Sequence, residues 1–336
     1  MAFAPSSVAN QGLPFQGVRT GEILDDKGRP WREKRLGSLR VARAYRELGD
    51  SARAARCRDC GTSLVFSECA KALGAHYRKL SYANFCRERL CPMCAWRRSL
   101  RLGWLVSGVF HAAYERHPGR PFVFLTLTVR NVPDDSLAQQ VDELFLGWGR
   151  LYKRKEFRRV VRGWFRGLEI THNDKNRTWH PHIHAVLWMS GSYTTGGSFY
   201  LTHRRWMDLW RESLGLDYDP WVRVQMVRPK GGRLGKVAAE VAKYTVKDSD
   251  LWDVPDEELV RRVGVLSHAL RGRRLFDWGG ELRKIAREFG NEDVEGASAE
   301  ELVRVGEEGH DNCPVCASGL VLHVYRWLYR MQQYVG

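Results

Sequence analysis

The feature that most restricts this chain is a pair of strand-like runs on either side of a polar turn. The first is Leu168-Glu169-Ile170-Thr171; the second runs from Ile183 to Met189 and follows Trp179-His180-Pro181-His182. Between them, Asn173-Asp174-Lys175-Asn176 has the chemistry of a turn, so the two runs read as a β-hairpin. Side chains alternate across a strand, so His182 and His184 leave the same face. A turn near Lys175 and Asn176 puts Glu169 across from His182, pointing the same way. One carboxylate and two imidazoles suit a divalent cation with open positions, manganese or magnesium, with zinc also compatible. An isolated H-x-H is more often an ordinary histidine pair, so the surroundings decide its meaning.

The charge points to a polyanion. The 336 residues carry 54 Lys and Arg against 39 Asp and Glu, a net charge of +15. Such an excess implies an anionic partner, nucleic acid first among them. The 43% apolar content supplies a core and excludes wholesale disorder. No run of about 18 apolar residues occurs, so no membrane span is expected. The start, Met1-Ala2-Phe3-Ala4-Pro5, lacks the cationic lead and apolar segment of a secretory signal. A reducing cytoplasm is therefore the expected location, where C-x-x-C pairs hold metal more often than they form disulfides.

Eight cysteines are present, and six lie between Cys57 and Cys94. Two C-x-x-C pairs, Cys57/Cys60 and Cys91/Cys94, predict a closed structural zinc site in which each pair clamps one side of a tetrahedral ion. Cys86 is an alternative to Cys57, and Cys69 is the bystander. Near the end, Cys313-Pro314-Val315-Cys316, with His310 and His323 nearby, predicts a possible second zinc site.

The remaining pattern orders the chain. Residues 1–50 read as a basic flexible arm leading into a short helix. Residues 51–120 read as a zinc-binding module and a long amphipathic helix from Ala95 to Arg116, whose Arg97, Arg98 and Arg101 are candidate DNA-phosphate contacts. Residues 121–250 hold a buried strand over 121–130, a helix from about Ser136 to Val161, and the hairpin. A helix over Thr202–Leu214 and a strand over Trp221–Val227 complete a strand-helix-strand-strand-helix-strand order. This predicts an α+β fold with a ferredoxin-like antiparallel sheet and flanking helices. A further helix over Leu234–Asp248 carries Glu240, Tyr244 and Lys247 on one face. Residues 251–336 read as a helical C-terminal region.

Four segments together resemble the replication initiators of rolling-circle plasmids, in the HUH endonuclease superfamily. They are Phe124-Leu125-Thr126-Leu127-Thr128, Glu169 with His182-Ile183-His184, the stretch from Glu240 to Asp250, and Cys86 with Cys91-Pro92-Met93-Cys94. The likeness runs from about Cys60 to Trp252 and is greatest to the single-tyrosine type, with Tyr244 as nucleophile and Glu240 one turn before it. It implies nicking at the double-strand origin of a plasmid through a 5′-phosphotyrosyl link, ended by Glu240-assisted hydrolysis. It also implies Mn2+ or Mg2+ on Glu169, His182 and His184, and structural zinc on Cys60, Cys86, Cys91 and Cys94. Lys247 is positioned to stabilise the phenolate or the phosphate charge. A host helicase and a DNA polymerase are the implied partners. Rival readings are an HUH transposase or relaxase, and a non-enzymatic zinc-binding regulator in which Tyr244 merely packs.

Overall fold

The computed structural model describes residues 21–25, 28–193, 196–227, 253–290, 293, 295–305 and 309–336. The expected helix over Leu234–Asp248, with Glu240, Tyr244 and Lys247, lies outside them. Two antiparallel sheets organise the described chain. The larger contains β3 (Phe122–Thr128), β4 (Val161–Asn173), β5 (Thr178–Met189), β6 (Val222–Val227) and β7 (Phe276–Gly279), in the order β6-β3-β5-β4-β7. Its interior strand β3 is buried at every position, as its unbroken apolar and threonine run requires of a strand covered on both faces.

Helices α4 (Leu137–Leu151), α5 (Lys155–Val160) and α6 (His203–Leu214) belong to the larger sheet's connections. Trp148 of α4 meets Trp164 of β4 edge-on at 5.0 Å, and Trp210 of α6 donates to the Thr128 carbonyl at 2.9 Å. The single helix expected from Ser136 to Val161 is two, broken at Tyr152–Arg154. α6 starts where Thr202 accepts from Arg205 N–H and stops at Gly215 with φ +71°, a left-handed position that suits glycine. On the opposite face, Phe110 of α3 (Pro92–Arg116) packs on Phe122 and Trp278 at the end remote from His182. Proline at its start suits α3, because the first turn of a helix has no partner for that N–H.

The smaller sheet has the order β2-β1-β8-β9, from β1 (Ser63–Cys69), β2 (Arg78–Ala83), β8 (Leu320–Leu328) and β9 (Gln333–Val335). Its strands come from both ends of the chain, which corrects the expectation of a helical C-terminal region. Helices α7 (Asp256–Ala269), α8 (Gly280–Glu288) and α9 (Ala299–Arg304) are present, but β7 extends the larger sheet and β8 and β9 complete the smaller one. The period-two signal was there: His323, Tyr325 and Trp327 are buried at alternate positions of β8.

The basic arm also needs correcting over its described part. α1 (Trp31–Glu47) is a docked helix of 17 residues, with Trp31, Val41 and Tyr45 buried. Its Arg35 is fully buried and donates to the carbonyls of Cys60, at 3.0 Å, and Arg58, at 2.5 Å. Arg40 and Arg43 pair with Asp256. These arginines hold protein to protein.

Candidate active site

The hairpin forms with the expected register: Glu169 stands opposite His182, and His184 lies opposite Thr126 on β3. Glu169 Oε2 is 3.2 Å from His182 Nε2 and 2.6 Å from His184 Nε2, and the two imidazole nitrogens are 3.2 Å apart. The other ring nitrogen of each histidine is held from behind. His182 Nδ1 donates to the His180 carbonyl at 3.1 Å, which fixes the ring with Nε2 turned toward the point where Glu169 and His184 converge. His184 Nδ1 lies 3.1 Å from Thr126 Oγ1, and its ring stacks on Phe124 at 5.4 Å.

Burial alone would raise the Glu169 carboxyl, but hydrogen bonds and charge from His182 and His184 hold it well below the ordinary carboxylate range. Three converging donors, one of them anionic, fit a divalent cation. His180 is half-buried, with its ring 5.0 Å from that of His182; burial, and then the neighbouring imidazole, lower its pKa. It lines an open cleft of about 530 Å³ with Asn131, Thr171, Asn173 and Lys175, so the cleft begins beside the three donors.

Four thiols gather beneath α1. The sulfurs of Cys60, Cys86, Cys91 and Cys94 all lie within 4.8 Å of one another, with Cys60–Cys94 at 3.5 Å and Cys86–Cys94 at 3.7 Å. Zinc–sulfur bonds of about 2.3 Å in a tetrahedron set sulfurs about 3.8 Å apart, so the spacing fits. Backbone N–H groups of Cys86 and Arg87 point at Cys60 and Cys94, as thiolates require. Cys57 is buried beside Cys86 and Cys91 but outside the four-atom set.

The family model described as Replication protein matches residues 77–335. The chain belongs to this replication protein family. Protein rep of Lactiplantibacillus plantarum is 33% identical over 93% of this chain and 98% of that one. Protein rep of Streptococcus pneumoniae is 35% identical over 80% and 82%, and that of Bacillus amyloliquefaciens 35% over 85% and 90%. No solved structure matches. No described helix is long and apolar enough to cross a membrane.

In this replication protein, three predicted DNA contacts serve the interior instead. Arg97, Arg98 and Arg101 of α3 are 2%, 4% and 8% exposed. Arg97 donates to the carbonyls of Leu302 and Val303, both at 2.8 Å. Arg98 donates to those of Glu88 and Arg87, and Arg101 pairs with Glu301 at 2.8 Å. They tie α9 and the cysteine loop to α3, which corrects their expected role as DNA-phosphate contacts. The predicted zinc partners of Cys313 and Cys316 are also displaced. His323 is buried beside Glu68 at 3.4 Å, and His310 meets the Tyr77 ring edge-on at 5.5 Å.

Sequence reasoning missed Arg223. It sits on β6 opposite Thr126, exposed, on the same sheet face as His184. The signal was available, since Thr126, His184 and Arg223 share one line across three strands. It could be read only once the register was known. Also missed is Arg261 of α7, which pairs with Asp134 and lies 3.0 Å from His172 Nε2 at the hairpin's edge.

Proposed function

We propose that this protein initiates plasmid replication as a single-tyrosine HUH endonuclease, nicking one strand of origin DNA. The observation that carries the reading is the convergence of Glu169, His182 and His184 within 3.2 Å on a sheet of a replication-family protein. The strand order β6-β3-β5-β4, with α4, α5 and α6 in its connections, supports the ferredoxin-like core such enzymes use.

Glu169, His182 and His184 would hold Mn2+ or Mg2+. Such an ion withdraws charge from the non-bridging oxygens of a phosphodiester. The Tyr244 phenol, losing its proton, attacks phosphorus; the bond to the 3′ oxygen breaks and that oxygen takes up a proton. A 5′-phosphotyrosyl link and a free 3′-hydroxyl result, the latter a primer for a polymerase. Lys247 stabilises the phenolate. Glu240 takes a proton from water as the water attacks the link, and Tyr244 leaves with a proton restored. Zinc on Cys60, Cys86, Cys91 and Cys94 holds the module that supports α3.

The described segments on either side of the stretch that carries Tyr244 support this reading: β6 ends at Val227 in the larger sheet, and Arg261 of α7 sits beside His172 at the hairpin's edge.

The test uses the full chain, labelled single-stranded origin DNA and manganese. A denaturation-resistant adduct is expected from the native protein and none from Tyr244→Phe, which should still bind. An adduct at normal yield from Tyr244→Phe refutes the assignment. A salt-sensitive gel shift with no adduct from either protein favours the non-enzymatic regulator.

A further inference from the structure

One chemical cluster, beside the smaller sheet, has no part in the proposed function. Cys69, at the end of β1, meets Cys313 and Cys316 from the loop before β8, and His76 from the β1–β2 connection. One ligand atom from each lies within 4.8 Å of all the others. Cys69 Sγ is 3.5 Å from Cys316 Sγ and 3.9 Å from His76 Nδ1. These are the edges of a tetrahedron around zinc, for which bonds of about 2.3 Å to sulfur and 2.0 Å to nitrogen give separations of about 3.5–3.8 Å.

The loop is shaped for the purpose. Cys313 N–H donates to the Ser318 carbonyl, and Ala317 N–H to the Cys313 carbonyl, both at 2.8 Å. Ala317 takes φ +56°, a left-handed conformation unusual for a residue with a Cβ. The tight turn that results brings the sulfurs of Cys313 and Cys316 to one point. Ser318 Oγ lies 3.3 Å from Cys316 Sγ, where it can donate to a thiolate. Cys69 and Cys313 are buried, and His76 closes the cluster from the solvent side.

We propose that Cys69, His76, Cys313 and Cys316 bind a second structural zinc ion, which fastens the C-terminal strands to β1. Cys60 lies just before β1 and belongs to the other cluster; Cys69 ends the same strand. Zinc therefore grips β1 at both ends, about 20 Å apart along seven residues. β8 pairs with β1 from Ser63↔Arg326 to Cys69↔Leu320, so the second ion locks the far end of that ladder. Four protein ligands fill the tetrahedron, so the ion is structural and separate from the nicking chemistry.

The experiment counts metal in the full chain, purified under reducing conditions without added zinc. Two zinc ions per chain are expected, and one in Cys313→Ser/Cys316→Ser. His76→Cys, at an exposed position, tests the ligand set without relying on a destabilised variant. In cobalt-substituted protein it should keep both ions while replacing the one nitrogen ligand by a fourth sulfur, seen as stronger sulfur-to-cobalt charge transfer. A native chain that holds one zinc, a double variant that keeps two, or an unchanged cobalt spectrum in His76→Cys overturns the proposal.

Discussion

The two candidate metal-binding regions of the larger and smaller sheets are built in opposite ways. In the hairpin, Glu169 lies 13 residues from His182 and 15 from His184. In the smaller sheet, Cys69 and Cys316 are 247 residues apart. By loop-closure entropy alone, the longer separation costs about 2.5 kcal/mol more. The hairpin can organise its donors as soon as two strands pair. The distant cysteines meet only after the rest of the fold has docked, which is where zinc binding, at about 10–16 kcal/mol in small zinc domains, has most to offset. A local site tolerates a ligand change with its fold intact; a site that joins distant segments does not separate binding from folding.

The sharpest way to break this contrast is to remove a hairpin donor. Glu169→Ala should lower nicking at least about 100-fold while the far-ultraviolet spectrum and zinc content stay native. Loss of zinc together with activity would mean that the hairpin is not independent. Thr126→Val keeps the shape of the site but removes the group 3.1 Å from His184 Nδ1. An increase of about 10- to 100-fold in the manganese concentration needed for half-maximal nicking is expected; an unchanged requirement removes Thr126 from the site.

Arg97→Ala tests the other side of the comparison. It strips donors from two buried carbonyls, so a stability loss of about 2–3 kcal/mol is expected in denaturant titration, with unchanged salt dependence of DNA binding. A shallower salt slope would restore its discarded role as a phosphate contact. Arg223→Ala should do the reverse: native stability and a salt slope smaller by about one counterion. The smallest effect is expected at Glu258, whose carboxyl is pulled down to about 2 by Arg261, against the cost of burial, and by Arg262. A depressed folded pKa gives stability that is complete above the unfolded value near 4.3 and is lost as pH falls toward 2. Glu258→Gln should therefore flatten the melting-temperature profile between about pH 4.5 and 2; an unaltered slope would place that acid sensitivity elsewhere.

Legibility followed the range of the contacts. The turn at Asn173–Asn176, the alternation through His182 and His184 and the buried run of β3 are local, and the register Glu169↔His182 follows from them. The family-based choice of Cys60, Cys86, Cys91 and Cys94 coincides with the clustered set, whereas symmetric spacing had favoured Cys57 over Cys86. Spacing could not decide that, because Cys86 reaches the cluster from the loop after β2, where Arg87 turns at φ +61°. Cys69 looked like a bystander because the two cysteines it meets, Cys313 and Cys316, lie at the far end of the chain. Basic residues on α1 and α3 looked solvated because the carbonyls and carboxylates they meet belong to other segments.

By itself the sequence determined the hairpin, its donor face and the basic character of the protein, since alternation, turn chemistry and charge are set by neighbouring residues. Only the tertiary structure decided which thiols meet and which arginines face inward. It also decided that the last strands complete a sheet begun by the first. Those outcomes depend on separate segments, up to 247 positions apart for Cys69 and Cys316, sharing one buried space, and no local pattern records that.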